Sequence, residues 1–586
     1  MRRHAAPAVA ALVLLAAPAF VPQFYATLLS YVGLAALVTL GLVLLTGIGG
    51  QTSFGQAAFA GIAAYSSALL TTQTTWSPFA GLALGLVLTA AAAWLLGLIT
   101  VRLSGHYLPL GTMAVGISFF YLFGTLPGLG GFNGFGDIPP LRLFGFAVTQ
   151  PRVTMFLVWA CVLLGILLLR NLLDSRSGRA IRALAEARSM ADAMGIDTAR
   201  TIRAVFVIAA LYAGLSGWLF VHFQRFINPS PFSLTASIEY VFMAIVGGAA
   251  WLWGAVIGAA LVTVLRDQLN DLLPRLLGQP GNYETIVFAG VIILLLQRAP
   301  TGLWPLLRRL LPAPAQPVPA EAPPLPPRHA ELQPGTNVLD VVGVSRLFGG
   351  LAANQDISFQ VAAGRIVALI GPNGAGKSTL FNLISGVLPP SAGRIRLFGQ
   401  DIQGLAPRAI ARLGVARTFQ HVKLLGEVSV LDNIALGAHL RGRCGMLAAM
   451  LRLDRGEEAG LLAEARRQAE RVGLGAQLAT PAGDLSLGQQ RIVEIARALC
   501  LDPSLLLLDE PAAGLRLQEK QALAALLRRL RGEGMAVLLV EHDMDFVMGL
   551  ADHIVVMDFG HKIAEGLPEA VQRDPVVLEA YLGGVA

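Results

Sequence analysis

Lys377, Ser378, Asp509, Glu510 and His542 are residues whose types and setting suit phosphoryl chemistry. The first two close the run Gly371-Pro372-Asn373-Gly374-Ala375-Gly376-Lys377-Ser378, with Thr379 next. An apolar stretch, Arg365–Ile370, precedes this run, and Thr379–Ile384 after it reads as a helix. Strand, glycine-rich loop and helix N-terminus in that order form a phosphate-binding loop. Glycines let backbone N–H groups converge on phosphate oxygens, Lys377 adds a point charge, and the Ser378 hydroxyl is placed for Mg²⁺. A glycine-rich turn alone would be only a tight connection; the Lys-Ser ending in this context argues for phosphate.

The acidic pair has its own strand. Leu505–Leu508 leads into Asp509-Glu510, which suits Asp509 for Mg²⁺ through water and Glu510 for polarising an attacking water. His542 follows another apolar strand, Met535–Val540, and Glu541. A lone histidine after a strand is usually structural; here its company points to the γ-phosphate. Leu485-Ser486-Leu487-Gly488-Gln489 opens a helix through Arg491, Glu494 and Ala498. Such a small-residue helix start can take the γ-phosphate of a second nucleotide. Gln420 completes the set.

These residues all lie in one half of the chain. At 586 residues the chain is too long for one ordinary core. Up to about Arg309 long apolar stretches dominate, and lysine is absent before Lys377. Beyond about Leu339 the composition is that of a soluble α/β domain, so the mean hydropathy of +0.63 averages two unlike halves. The formal charge of +7 comes without an aromatic-interleaved basic module, which argues against nucleic acid. Arginines beside apolar spans fit the cytoplasmic bias of membrane proteins instead. Cys161, Cys444 and Cys500 lack metal-ligand spacing.

Apolar spans are expected at 5–21, 26–45, 57–71, 79–101, 107–126, 153–170, 204–221, 237–250, 254–266 and 284–298, about ten crossings. The first follows Met1-Arg2-Arg3-His4 and is expected to be a retained helix, with cleavage as a signal peptide the alternative. Seven arginines between Arg170 and Arg203 place that segment on the cytoplasmic side, and the cation-poor 127–152 faces outward. Thr46–Gly55 cannot be a uniform helix; it either borders a substrate path or is a packing site or loop. Gly247-Gly248 with Gly254 and Gly258 reads as a small-residue helix seam. Apolar residues from Ile181 to Met194 recur at helical spacing, predicting a short amphipathic helix that ends at Gly195. It either lies on the membrane surface or works as a lever on the soluble half. Nine prolines between Pro312 and Pro334 make an extended tether. The expected domains are a membrane domain over 1–310, a linker over 311–337 and a nucleotide-binding domain over 338–586.

The order of phosphate loop, Gln420, Leu485–Gln489, Asp509-Glu510 and His542 resembles the ATPase of ABC transporters. More narrowly, Ala416–His421, Arg443–Leu453, Glu510–Gly514 and the ending Ile563–Leu582 are similar to the ATPases of branched-chain amino acid importers. Tyr31–Gly61, Gly178–Ile196 and Arg298–Leu303 resemble the matching permease subunit. The resemblance implies a polytopic α-helical membrane domain fused to an α/β P-loop ABC domain, with ATP and Mg²⁺ as cofactors. It implies that two ATPase domains sandwich two ATPs, with Ser486, Gly488 and Gln489 completing the other domain's loop and Phe348 stacking on adenine. It implies the bacterial inner membrane, a separate extracytoplasmic solute-binding protein, and a second permease and ATPase subunit or a second copy of this chain. The function it implies is ATP-driven import of branched-chain or other hydrophobic amino acids, or of related small solutes such as amides or urea; an exporter of lipid or drug and a membrane-tethered regulatory ATPase without transport are the rival functions. Two departures stand out. Arg516-Leu517 replaces the family's Asn-Pro after Leu515, and Ala249–Trp253 follows Gly248 where small residues are usual.

Overall fold

The computed structural model describes residues 16, 18–100, 107–143, 145–277, 283–310, 322–329 and 332–582. The chain divides into two compact units. One comprises Met1–Leu173 and Ala199–Ala315; the other comprises Asp174–Thr198 and Gln316–Ala586.

The first unit is a helical bundle. Helices occupy Gln23–Leu42, Gln56–Gln73, Pro78–Thr100, Tyr107–Thr125, Pro151–Leu173, Thr198–Gln224, Leu234–Gly247, Leu252–Leu277 and Tyr283–Arg298. Among the described residues six helices are long and apolar enough to cross a membrane, so the expected ten crossings are not reproduced. Nine of the ten expected segments coincide with helices; 5–21 lies largely outside the described residues. Part of the shortfall comes from short helices, Leu234–Gly247 and the apolar end Val287–Arg298, which lack the length of a full crossing.

Burial orders the bundle from its centre outward. In an 18-residue apolar stretch of Gln23–Ile48, 83% of the residues are buried, against 22% in Pro78–Ile99, which offers an apolar face to its surroundings. With lipid as apolar as leucine, helices associate through close backbone approach. A Cβ on Gly217 would lie 2.0 Å from the Ala60 carbonyl oxygen, and one on Gly258 would lie 1.8 Å from that of Met243. Gly247 likewise abuts the Gly254 carbonyl, so the expected seam joins Leu234–Gly247 to Leu252–Leu277. The unusual tryptophans pack locally. Arg308 lies over the Trp251 ring at 4.2 Å, and Trp253 stacks on Trp304. Thr46–Gly55 is a break, as expected. The first long helix loosens into a π-helical turn, Val43–Ile48, and the chain is irregular until Gln56.

The second unit is an α/β domain with two sheets. The larger has the order His561–Gly566, His553–Asp558, Ile366–Ile370, Ala536–Val540, Leu505–Asp509 and Val415–Arg417, parallel except for its first edge strand. Its inner strands are near-continuous apolar runs because both faces are covered, one by the antiparallel sheet and the helix Lys377–Ile384, the other by helices such as Leu487–Cys500 and Leu517–Gly532. The second sheet is antiparallel, in the order Leu351–Ala362, Asn337–Phe348, Ala392–Leu397 and Gln400–Asp401.

The arginine-rich segment belongs to this unit. It forms two helices, Arg176–Glu186 and Arg188–Ala193, not the one expected, because Ala187 is extended (φ −158°, ψ 105°). The Arg179 guanidinium pairs with the Glu458 carboxylate and lies 3.4 Å from Asp432 Oδ1. Arg176 donates to the carbonyls of His439 and Cys444, each at 2.6 Å. Ala183, Met190 and Met194 complete the attachment by packing with Phe419 and Leu436. The proline-rich stretch is likewise held where it is described. Arg328 donates to Leu501 O and Arg412 O, and Arg441 to Leu325 O and Pro326 O.

Candidate functional site

Parallel strands place their carboxyl ends together, and ligands of open α/β sheets bind there. Val540 is in register with both Leu369 and Asp509. One sheet end therefore gathers Gly371 after the first strand, Asp509-Glu510 at the second and Glu541-His542 after the third.

The loop Gly371–Gly376 turns sharply into the helix Lys377–Ile384. Gly371 has φ +149°, and a Cβ there would sit 2.0 Å from Met557 O; Gly376 has φ +95° and abuts Ala353 O. Only glycine satisfies both demands. Lys377 Nζ donates to its own loop, at 2.6 Å to Gly371 O and 2.9 Å to Pro372 O. Burial pushes its pKa down, while Glu510 and Asp509 oppose that shift. Asn373, Gly374 and Ser378 are exposed, and Thr379 is half-buried. Asn354 Nδ2 donates to Gly376 O at 3.2 Å, tying the antiparallel sheet to the loop. Phe348 ends the neighbouring strand, half-exposed, with Arg346 over its ring.

Asp509 is buried. Its Oδ2 lies 3.4 Å from the Arg417 guanidinium, and its Oδ1 has no hydrogen-bond partner among the described residues. Burial raises its pKa and Arg417 counters this. Glu510 has φ +49°, with its N–H held by Val540 O at 2.9 Å. His542 is exposed, its Nδ1 3.9 Å from Glu510 Oε2 and 3.8 Å from Glu541 Oε2. Glu541 is fully buried and accepts from Ala512 N at 2.6 Å and His542 N at 3.2 Å, fixing the segment between the two strands.

Gln420 is exposed at the end of a stretch that Thr418 binds to the second strand, through Asp509 N to Thr418 Oγ1. Ser486 caps the helix Leu487–Cys500 in a reciprocal box with Gln489, and Gly488 lies against the Glu519 carboxylate. Among the described residues Ser486, Gly488 and Gln489 make no hydrogen bond to the phosphate loop of the same chain.

The same helix carries a set that sequence reasoning left without a role. Arg491 donates to the carbonyls of Phe419 and Gln420 at 3.0 and 2.5 Å, and Arg497 to Lys423 O at 2.7 Å. Glu494, buried, accepts from Lys423 N at 3.0 Å and from Arg497. The helix opened by Ser486 thereby grips the loop that follows Gln420. The signal was available as three charges at three-residue spacing on an otherwise apolar helix face.

The fold and its strand-end site define an ATP-binding cassette, a class whose ATP hydrolysis is coupled to transport. Three family models match the chain. They are the branched-chain amino acid transport system permease component over residues 24–296, the ABC transporter over 354–513 and the branched-chain amino acid ATP-binding cassette transporter over 561–586. The high-affinity branched-chain amino acid transport ATP-binding protein BraF of Pseudomonas aeruginosa is 43% identical over 249 residues, which is 42% of this chain and 98% of that protein. LivG of Escherichia coli, of the same description, is 41% identical over the same shares. A crystal structure of a nucleotide-free ATP-binding cassette matches with 32% identity and a TM-score of 0.39, over 42% of this chain and all of that one. The chain belongs to the branched-chain amino acid ABC transporter family, and it carries the permease and the ATP-binding component in one polypeptide. It is a membrane protein that binds ATP.

Proposed function

We propose that this chain imports branched-chain or related hydrophobic amino acids across the bacterial inner membrane, driven by ATP hydrolysed on the cytoplasmic side. One observation carries the reading: a branched-chain permease match at 24–296 and a branched-chain ATPase ending at 561–586 flank one phosphate-binding loop. In this reading 1–310 is the permease, 311–337 the linker and 338–586 the ATPase. A solute-binding protein delivers the substrate, and a second permease and ATPase, or a second copy of this chain, complete the assembly.

Gly371, Asn373, Gly374, Gly376, Lys377, Ser378 and Thr379 hold the phosphates, and Phe348 stacks on adenine. Ser378, Gln420 and Asp509 hold Mg²⁺, a role that suits the buried, unpartnered Asp509 Oδ1. Bound there, Mg²⁺ neutralises charge on the phosphates. Glu510 orients the attacking water beside His542, while Ser486, Gly488 and Gln489 close on the nucleotide of the partner ATPase. Movement of Arg176–Ala193 then passes to the membrane helices.

The test is uptake of radiolabelled L-leucine into vesicles containing the assembled transporter and its binding protein. Glu510→Gln is expected to reduce uptake to background with ATP binding retained. Uptake persisting in that variant would refute ATP-driven import by this chain.

A further inference from the structure

Polar side chains inside the membrane bundle are in general paired. Trp159 Nε1 donates to Leu29 O, Tyr212 Oη to Gly165 O and Trp218 Nε1 to Pro78 O. His222 sits between Ser67 Oγ and Pro139 O, each at 2.8 Å. Among the described residues of this unit, the buried polar side-chain atoms without a partner belong to Gln56 and Tyr65. Gln56 is the stronger case, because both ends of its amide are unpartnered and the residue is 0% exposed.

Its place in the fold gives that amide a meaning. Gln56 is the first residue of the helix Gln56–Gln73, immediately after the irregular segment that ends at Gly55. The break is built from buried hydroxyls. Phe54 N donates to Thr112 Oγ1 at 3.0 Å and Ala57 N to Ser237 Oγ at 3.1 Å, while Ser53 Oγ accepts from Gly55 N. These hydroxyls stabilise the irregular backbone. Gln56 contributes to none of these bonds, so holding the break does not account for it. An unpaired amide in an apolar interior is costly, since water is not there to replace the missing bonds.

We propose that the start of helix Gln56–Gln73 is a contact site for the zwitterionic backbone of a transported amino acid, with Gln56 as its side-chain ligand. The proposal rests on the importer function above. A carboxylate is favoured at a helix N-terminus by the backbone dipoles and can accept from Gln56 Nε2–H. The ammonium group of the same solute can donate to Gln56 Oε1. A neutral amide offering one donor and one acceptor suits both groups without placing a net charge in the bundle. It would also read the part common to all α-amino acids and leave side-chain selection to other residues.

The experiment compares wild type, Gln56→Leu and Gln56→Asn in the fully assembled transporter with its binding protein. It reads L-leucine uptake into vesicles and the thermal unfolding midpoint in parallel. A structural amide and a ligand predict different pairs of results. Gln56→Leu removes two unpaired polar atoms, so its midpoint should equal or exceed that of wild type, while uptake should fall about tenfold or more. Gln56→Asn keeps the amide but withdraws it by one methylene; an intermediate loss of uptake at an unchanged midpoint is expected, and this variant decides if Gln56→Leu fails to assemble. Wild-type uptake with undiminished uptake in the deciding variant would overturn the site and leave the importer function standing. Absence of leucine uptake by the wild type would overturn both.

Discussion

Arg179 and Glu458 form the contact from which the attachment of the arginine-rich segment is most directly tested. They are 279 residues apart in sequence, and their side chains are 3% and 13% exposed. Arg179 Nη2 donates to Glu458 Oε2 at 3.1 Å, and a second bond joins Nη1 to Oε1. Arg176 N also donates to Glu458 Oε2, so one carboxylate serves both arginines. Replacing Glu458 by Gln leaves the buried Arg179 guanidinium with Asp432 as the carboxylate beside it among the described residues. Removing one partner of a buried pair costs about 3–5 kcal/mol, because the remaining charge is desolvated without compensation. At ~1.4 kcal/mol per factor of ten, the ratio of attached to detached segment falls by about two to three and a half orders of magnitude. Replacing both partners by apolar residues, Arg179→Met with Glu458→Leu, should cost far less than either single change. The assay is a double-mutant cycle on the assembled transporter, with leucine uptake per ATP hydrolysed as the readout. Both single variants are expected to hydrolyse ATP with little uptake, and the double variant to regain part of it. Single variants with wild-type coupling would refute the assignment of this pair as the tie between segment and ATPase.

Two further outcomes follow from packing and protonation. Gly258→Val drives a side chain into the Met243 carbonyl and should destabilise the bundle by at least the 1–3 kcal/mol typical of overpacking, read as lost yield and a lowered unfolding midpoint. His439 has its pKa pushed down to about 3 by burial and the neighbouring Arg176 and Arg179. The unfolded chain therefore takes up this proton first, and stability is lost as pH falls from about 6.5 towards 3. His439→Gln should lessen the loss between about pH 7 and about pH 5 by up to ~2 kcal/mol, measured by denaturant unfolding at each pH.

The phosphate loop was legible because each of its parts is local. A strand, six linking residues and a helix start are contiguous, and the positive φ at Gly371 and Gly376 demands the residues that mark it. Asp509-Glu510 and His542 were equally visible, since parallel strands leave their flanking residues at one end of the sheet. The helix break at Thr46–Gly55 followed from glycine content. Span number did not follow, because hydropathy registers apolar runs, whereas Leu234–Gly247 is an apolar helix too short for a full crossing. The arginine-rich segment was placed as amphipathic, but its division at Ala187 was not, since no glycine or proline marks the extended residue.

By itself the sequence determined the periodic and contiguous features: apolar spans, the nucleotide loop, the strand-end acids and the family to which they belong. Tertiary structure alone decided which distant groups meet. It brought Arg491 and Arg497 onto the carbonyls of Phe419 and Lys423, set Glu458 beside Arg179, and left both ends of the Gln56 amide without a partner among the described residues at a helix start. The physical reason is common to all three. A buried polar group is defined by the partners it finds or lacks, and those partners are supplied by packing between segments distant in sequence, not by its neighbours in the chain.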